Sequence, residues 1–308
     1  MKQQEPYRIK SISAYHAFAG LGKPVHPLVS VINFDKCHQP DCDMPKSILY
    51  DLYSINLKKD FDAKVKYGQQ YYDFDKGTMN FLAPKQIQSL EVAEVNQINR
   101  ECGVGYMLMF HPDFLHGHPL ATNIKNYGFF SYAVNEALHL SEREEKNIIE
   151  VFQKIEAEYQ HIDRHTQDII LSQIDLLLNY SNRFYERQFI TRKAVNSDLL
   201  SKMTQLLNDY FGNDEPLNHG LPTVELLAGK LNLSPRYLSD MLRSLTGQNA
   251  QQHIHEKLIE RAKEYLSETT LSVSEIAYQL GFEHSQSFNK LFKKKTTVSP
   301  LEFRQSFN

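Results

Sequence analysis

From about Ile9 to Tyr132 the apolar residues come in short runs rich in β-branched and aromatic side chains, broken at short intervals by turn formers. Ala63, Val65 and Tyr67 alternate with Lys64 and Lys66 before Gly68; Met79 and Phe81 lie between Gly77 and Pro84; Tyr106, Leu108 and Phe110 lie between Gly105 and Pro112. A period of two sends successive side chains to opposite faces, so these runs predict the strands of a small antiparallel barrel or sandwich. At Ser141 the period lengthens. Ser141-Glu142-Arg143-Glu144 has the form of a capping box, hydroxyl and carboxylate satisfying each other's backbone donors, and predicts a helix start. Ile148, Ile149, Phe152 and Ile155 follow at helical spacing, then Ile169, Ile170, Ile174, Leu177 and Leu178, then Leu199, Leu200, Met203, Leu206, Leu207 and Tyr210 before Gly212. So much apolar helix surface must be buried. The long helix, about 163–187, either packs on its own barrel or forms a dimer interface, and the pattern admits both. Residues 213–222 (NDEPLNHGLP) hold two prolines and a glycine and predict a linker.

Beyond the linker one pattern occurs twice, as TVELLAGKLNLSPRYLSDMLRSLTG from Thr223 and SVSEIAYQLGFEHSQSFNKLFKKKTT from Ser272. In each copy a short amphipathic helix carries an alanine (Ala228, Ala277), with a leucine three residues on (Leu231, Leu280), and a turn follows at Asn232-Leu233 or Gly281-Phe282. A small residue lets two helices cross closely, and Asn and Gly tolerate the left-handed turn. The next helix has its apolar stripe at Leu238, Met241, Leu242 and Leu245, or at Phe288, Leu291 and Phe292. This predicts two helix-turn-helix units, at 223–245 and 272–295.

The stripes leave Arg236, Tyr237, Ser239, Asp240 and Arg243 exposed in the first unit, and Ser285, Gln286, Ser287, Asn289 and Lys290 in the second. Gln and Asn suit adenine, Arg and Lys suit guanine, and Ser suits either. Ser234-Pro235 supplies an N-cap and a first-turn proline. Ile254, Leu258, Ala262, Tyr265 and Leu266 mark a connecting helix over 253–267, about 15 residues or roughly 22 Å. With its flanks it would set two recognition helices toward major-groove segments about 34 Å apart. A spacing short of a full turn would bend the DNA, at about 1 to 6 kcal/mol.

Charge is informative only when divided. The chain carries a net −3, but residues 222–308 hold 11 Lys or Arg against 9 Asp or Glu, and the first 221 hold 23 against 28. Lys293, Lys294 and Lys295 form the cluster that matters, read as phosphate contacts rather than a solvated helix end. Composition is that of a globular protein, 41% hydrophobic and 23% charged. No run reaches the roughly 18 apolar residues of a membrane span, and the polar first ten residues do not resemble a signal peptide. Three cysteines, Cys37, Cys42 and Cys102, are too few to staple the fold. A cytoplasmic location follows, with no membrane partner.

Residues 222–308 resemble the DNA-binding domain of the AraC/XylS family of transcription regulators. The resemblance runs through SPRYLSDMLRSLTG, RAKEYL, VSEIAYQLGF, SFNKLFKK and SPLEFR. It implies that the second helix of each unit enters the major groove, with base contacts from Arg236, Ser239 and Asp240, then from Ser285, Gln286, Ser287, Asn289 and Lys290. Asp240 stands where the family usually has arginine, and Thr297 where it usually has glycine. The N-terminal region resembles, in strand rhythm, domain order and the phrase MNFLAPKQIQSL, the cupin-like sensor domain found in the same family. The fold implied is α+β: a cupin-like effector-sensing barrel over 1–140, a helical dimerisation segment over 141–212, a linker at 213–222, and an all-α DNA-binding domain over 223–308. The function implied is a non-enzymatic, dimeric regulator of transcription whose partners are double-stranded DNA, a small-molecule effector and RNA polymerase. The effector acts by binding two dimer arrangements with different affinity.

Other chemistry is weaker. His111, His116 and His118 in FHPDFLHGHP invite a metal, since imidazoles two apart on a strand share a face. The carboxylate and later histidine of a cupin metal site are missing, so they are read as loop histidines; a cupin metalloenzyme or metal sensor fused to a DNA-binding domain is the alternative. Cys37, His38 and Cys42 lack a fourth zinc ligand. No phosphate-cradling loop or nucleophile motif occurs, and no cofactor is expected.

Overall fold

A computed structural model describes residues 6–36, 47–59, 65–67, 70–72, 77–89, 105–133, 136–213 and 215–307. The chain forms two compact units, Met1–Gln188 and Phe189–Asn308. The first contains β1 (Tyr7–Ile9), α1 (Ile12–Phe18), β2 (Val29–Asn33), β3 (Ser47–Tyr50), β4 (Tyr53–Lys58), β5 (Val65–Tyr67), β6 (Gln70–Tyr72), β7 (Thr78–Leu82), β8 (Ile87–Ser89), β9 (Gly105–Phe110), α2 (Leu120–Asn123), β10 (Leu138–His139), α3 (Glu142–Tyr159) and most of α4 (Thr166–Thr191). An antiparallel sheet of order β10-β7-β4-β9-β2 is its centre, where Ile55 lies between Phe81 and Leu108. β1-β3-β8 and β5-β6 form two further sheets.

The expected closed barrel is not what the described strands make, because no ladder joins the three sheets. α3 packs on β2, and its Phe152 ring stacks on Tyr106 of the neighbouring β9 at 5.3 Å. β9 is also more than a one-faced strand: Tyr106, Leu108, Met109 and Phe110 are all buried. Cys37, His38, Cys42, Ala63 and Cys102 lie outside the described residues.

The capping box at Ser141 is present and opens α3, which buries Ile148, Val151, Phe152 and Ile155. α4 buries Ile170, Leu171, Ile174, Leu177 and Leu178. Ile169, grouped with these by its spacing, is instead exposed, as are Leu176 and Ile190.

The second unit is helical: α5 (Lys193–Gly212), α6 (Glu215–His219), α7 (Val224–Lys230), α8 (Pro235–Thr246), α9 (Ala250–Glu268), α10 (Val273–Gln279), α11 (Ser285–Thr296) and α12 (Pro300–Gln305). α5, expected with the N-terminal region, packs on α8 and α9. The division therefore falls at Gln188/Phe189, not at 213–222. That stretch holds α6, and Gly220 after it is fixed by Tyr210, whose hydroxyl donates to the Gly220 carbonyl at 2.9 Å. The prolines and glycine of 213–222 bound a short helix rather than a free linker.

Candidate nucleic-acid interface

Each copy of the repeat is built by local signals. Thr223 caps α7, its hydroxyl accepting from the Leu226 N–H, and Ser234 caps α8 by accepting from Tyr237 N–H. Ser272 and Glu275 form a full capping box on α10. Between the paired helices Asn232 and Gly281 have φ of 55° and 89°. Ala228 and Ala277 are fully buried at the crossings. Leu238, Met241 and Leu242 on α8, with Ile254 and Leu258 on α9, are buried, and α8 lies on α9. Phe288 and Phe292 fill the second copy, in ring contact with Phe282 and Phe303 respectively. α9 has 19 residues, longer than the expected 253–267, and spans roughly 28 Å.

The buried stripes decide what each second helix offers outward. On α11, Gln286, Ser287, Asn289 and Lys290 are exposed and Ser285 is half-buried. The Gln286, Ser287, Asn289 and Lys290 side chains form no hydrogen bond or ion pair with described residues, so their donors and acceptors are available. Lys293, Lys294 and Lys295 are exposed in the last turn of the same helix. Cations there also complement the negative end of the helix dipole.

α8 differs from expectation at three positions, of which Ser239 is simply half-buried. Tyr237 is buried, only 6% exposed, and meets the Phe189 ring edge-on at 5.2 Å; it is a packing residue, not an outward one. Asp240 is half-buried, its carboxylate gripping two guanidinium groups: Arg236 Nε at 2.9 Å and an Arg243 terminal nitrogen at 2.8 Å. Arg236 and Arg243 are exposed. The acidic side chain is thus a clamp between two arginines on the outward face, a pairing that the i, i+4 and i, i+3 spacing carries in the sequence.

Electrostatics extend beyond the two helices. His255 on α9 is held below the usual imidazole pKa by burial, with Lys295 and Lys294 lowering it further. His253 is lowered by burial, with Glu256 opposing. Neither histidine stood out in the sequence.

Among the described residues, the three histidines of FHPDFLHGHP lie in a local loop. His111 lies just before a 3-10 helix at 112–115, and its Nδ1 accepts from the Asp113 N–H at 3.2 Å. His118 Nδ1 likewise accepts from Leu120 N–H. They sit in turns, not on one strand face, and no group of three His, Cys, Asp or Glu side chains among the described residues could hold a metal.

Residues 227–306 match the model of a helix-turn-helix domain family. The chain is 29% identical over 140 residues to the HTH-type transcriptional activator RhaS of Citrobacter koseri, covering 45% of each protein. It is 32% identical over 116 residues to an HTH-type transcriptional regulator in the cgkA 5′ region of Pseudoalteromonas carrageenovora, covering 38% of this chain and 64% of that one. Among solved structures, it is similar to the C-terminal domain of the two-component response regulator yesN of Fusobacterium nucleatum, at 30% identity and a TM-score of 0.31, covering 35% of this chain and 98% of that one. The chain spans about half the length of the curated relatives it matches. Residues 227–306 thus carry a helix-turn-helix domain of the AraC/XylS type, the kind found in DNA-binding transcription regulators.

Proposed function

We propose that the protein is a non-enzymatic, sequence-specific regulator that seats α8 and α11 in successive major-groove segments of one duplex. Gln286, Ser287, Asn289 and Lys290 read base edges in one segment; Arg236, Ser239 and Arg243, with Asp240 between the arginines, face the other. Lys293, Lys294 and Lys295 meet phosphate. The observation that carries this reading is the doubled unit itself, two second helices whose apolar stripes are buried and whose polar faces stay outward across α9. One such face fits many surfaces; two in one rigid unit fit consecutive turns of DNA.

The first unit is assigned effector sensing, in line with the cupin-like resemblance, and self-association. Ile169 and Leu176 are large apolar side chains exposed on α4 within the first unit, seven residues apart. That period favours pairing with the same helix of a second copy. The regulator so described works in the cytoplasm as a homodimer, with RNA polymerase as a further partner. Selection of bound fragments from random duplex DNA by the full chain tests the reading. A bipartite site with half-sites about one helical turn apart is expected; enrichment of no sequence, or of a single short element, refutes the two-groove arrangement.

A further inference from the structure

The structure assigns an anion-binding site to a cleft of the first unit, between the start of α3 and the second half of α4. The cleft has a volume of about 280 Å³ and is lined by Ser141, Arg143, Glu144 and Asn147 at the start of α3 and by Tyr180, Arg183, Phe184 and Arg187 from α4, so three arginines face one carboxylate. That is just under the usual small-molecule range of roughly 300 to 1,000 Å³.

The arginines carry the inference. Arg187 is held along one edge: its Nε and a terminal nitrogen hold the Glu144 carboxylate at 3.0 and 2.7 Å, and that nitrogen also donates to the His139 carbonyl at 2.7 Å. It is a fixed, neutralised wall. Arg8, Arg236, Arg243 and Arg261 are likewise paired with carboxylates, and Arg164 and Arg304 donate to neighbouring groups. Arg143 and Arg183, both exposed, form no hydrogen bond or ion pair with any described residue, and both open onto this cleft from different helices. Two unpaired guanidinium forks facing one concavity form an arrangement that a doubly charged oxyanion completes bidentately. The helix end adds little, because the capping box of Ser141 and Glu144 already occupies amides of α3.

Tyr180 and Phe184 complete the specificity. Their rings stack with centroids 5.7 Å apart and 17° between planes; Phe184 is buried and backs the half-buried Tyr180 ring, which is the aromatic surface the cleft offers. The ligand class is therefore a small phosphomonoester with a compact ring or apolar body, its phosphate on Arg143 and Arg183 and its body against Tyr180. As the effector of the proposed regulator, a claim that rests on the sensing role given to the first unit, it would also neutralise a charge on the self-association face. Arg183 occupies the same seven-residue series as Ile169 and Leu176.

Calorimetric titration of the full chain with phenyl phosphate and with inorganic phosphate tests the site. Phenyl phosphate is expected to bind more tightly, and Arg143→Ala or Arg183→Ala to weaken it by at least about tenfold, with Arg183→Lys intermediate because charge remains but the fork is lost. The thermal midpoint of Arg143→Ala without ligand should match the parent, since that side chain is exposed and lies off the self-association series. Unchanged binding in both alanine variants, loss on replacing Lys293 to Lys295 instead, or equal binding of the two probes overturns the assignment. DNA affinity and dimerisation, measured with and without phenyl phosphate, separate the site from the regulatory role: arginine-dependent binding that moves neither leaves the site standing and removes the sensing claim.

Discussion

Asp240→Asn isolates the clamp on α8. The substitution keeps side-chain size and one carbonyl oxygen but removes the charge that holds Arg236 at 2.9 Å and Arg243 at 2.8 Å. Pairs at i, i+4 and i, i+3 are worth about 0.2 to 0.5 kcal/mol each, and the arginines are 45% and 51% exposed. Loss of both therefore lowers stability by no more than about 1 kcal/mol, near the upper limit for exposed pairs. The effect on DNA has two opposed parts. Removing one negative charge from the groove-facing surface frees an arginine to neutralise a further phosphate. The slope of log affinity against log salt steepens by about 0.9 for each phosphate gained, and affinity for unrelated duplexes rises. The freed guanidinium groups also lose their fixed orientation, so discrimination at the base they address falls by up to about 1 to 3 kcal/mol, the worth of a well-aligned bidentate contact. Fluorescence anisotropy with a selected site and a scrambled duplex, across about 50 to 200 mM salt, measures both parts. A tighter, steeper and less selective variant is expected. An unchanged salt slope would show that Asp240 does not face DNA, and a fall in stability well beyond 1 kcal/mol would make it a packing residue.

Gln286→Ala should weaken the selected site by about 1 to 3 kcal/mol at one base position, with random DNA bound as before; equal loss on both, by anisotropy, removes its role as a base reader. Replacing Lys293, Lys294 and Lys295 with Ala should weaken all sequences alike and reduce the salt slope by up to about 3 units, one phosphate per lysine; an unchanged slope makes the run a solvated helix end. Gly281→Ala should lower the urea midpoint sharply, by about 2 kcal/mol or more: φ is 89°, where a Cβ alone costs about 1 to 2 kcal/mol, and the added carbon would sit 2.6 Å from the Gly220 carbonyl carbon. Stability should also fall as pH drops below about 6.5. His253 and His255 have folded-state pKa values below the free value of 6.5, so the unfolded chain takes up protons first and gains on the folded one; a double replacement by Gln should flatten this part of a pH–denaturation profile.

What the sequence made legible was local. The cap at Ser234, the alanines at the crossings and the turn residues Asn232 and Gly281 are all decided within a few residues of themselves, and each is in place. What it did not make legible depends on distant partners. Tyr237 lies one position from the apolar stripe of α8 and goes inward because Phe189, 48 residues earlier, offers a ring. α5 joins the second unit because α8 and α9 pack on it, although its own periodicity matched that of the helices before it. Barrel closure needs long-range strand pairing, which a period of two does not specify. The Asp240 clamp is the exception: its spacing was in plain view, but an acidic residue in a basic setting reads as repulsion until the two arginines are placed beside it.

The two copies of the repeat separate backbone geometry from the residue that adopts it. Both second helices end in a left-handed residue, Gly247 at φ 78° in one and Thr297 at 69° in the other, and both intervening turns are left-handed at Asn232 and Gly281. Three residue types at four positions therefore adopt one conformation, so at Asn232 and Thr297 the fold imposes it from outside the residue. At Thr297 the neighbouring Thr296 hydroxyl holds the turn, 2.8 Å from the Phe292 carbonyl oxygen and 2.9 Å from that of Val298, and Ser299 with Glu302 then opens α12. Such a turn tolerates a Cβ at some local strain. At Gly281 the limit is different in kind: the space a Cβ would need is filled by the backbone at Gly220, the residue that ends α6. Gly220 lies in the segment that first looked like a free linker, so the second unit's glycine is required by that segment's being packed, and the same contact makes 213–222 part of the DNA-binding unit.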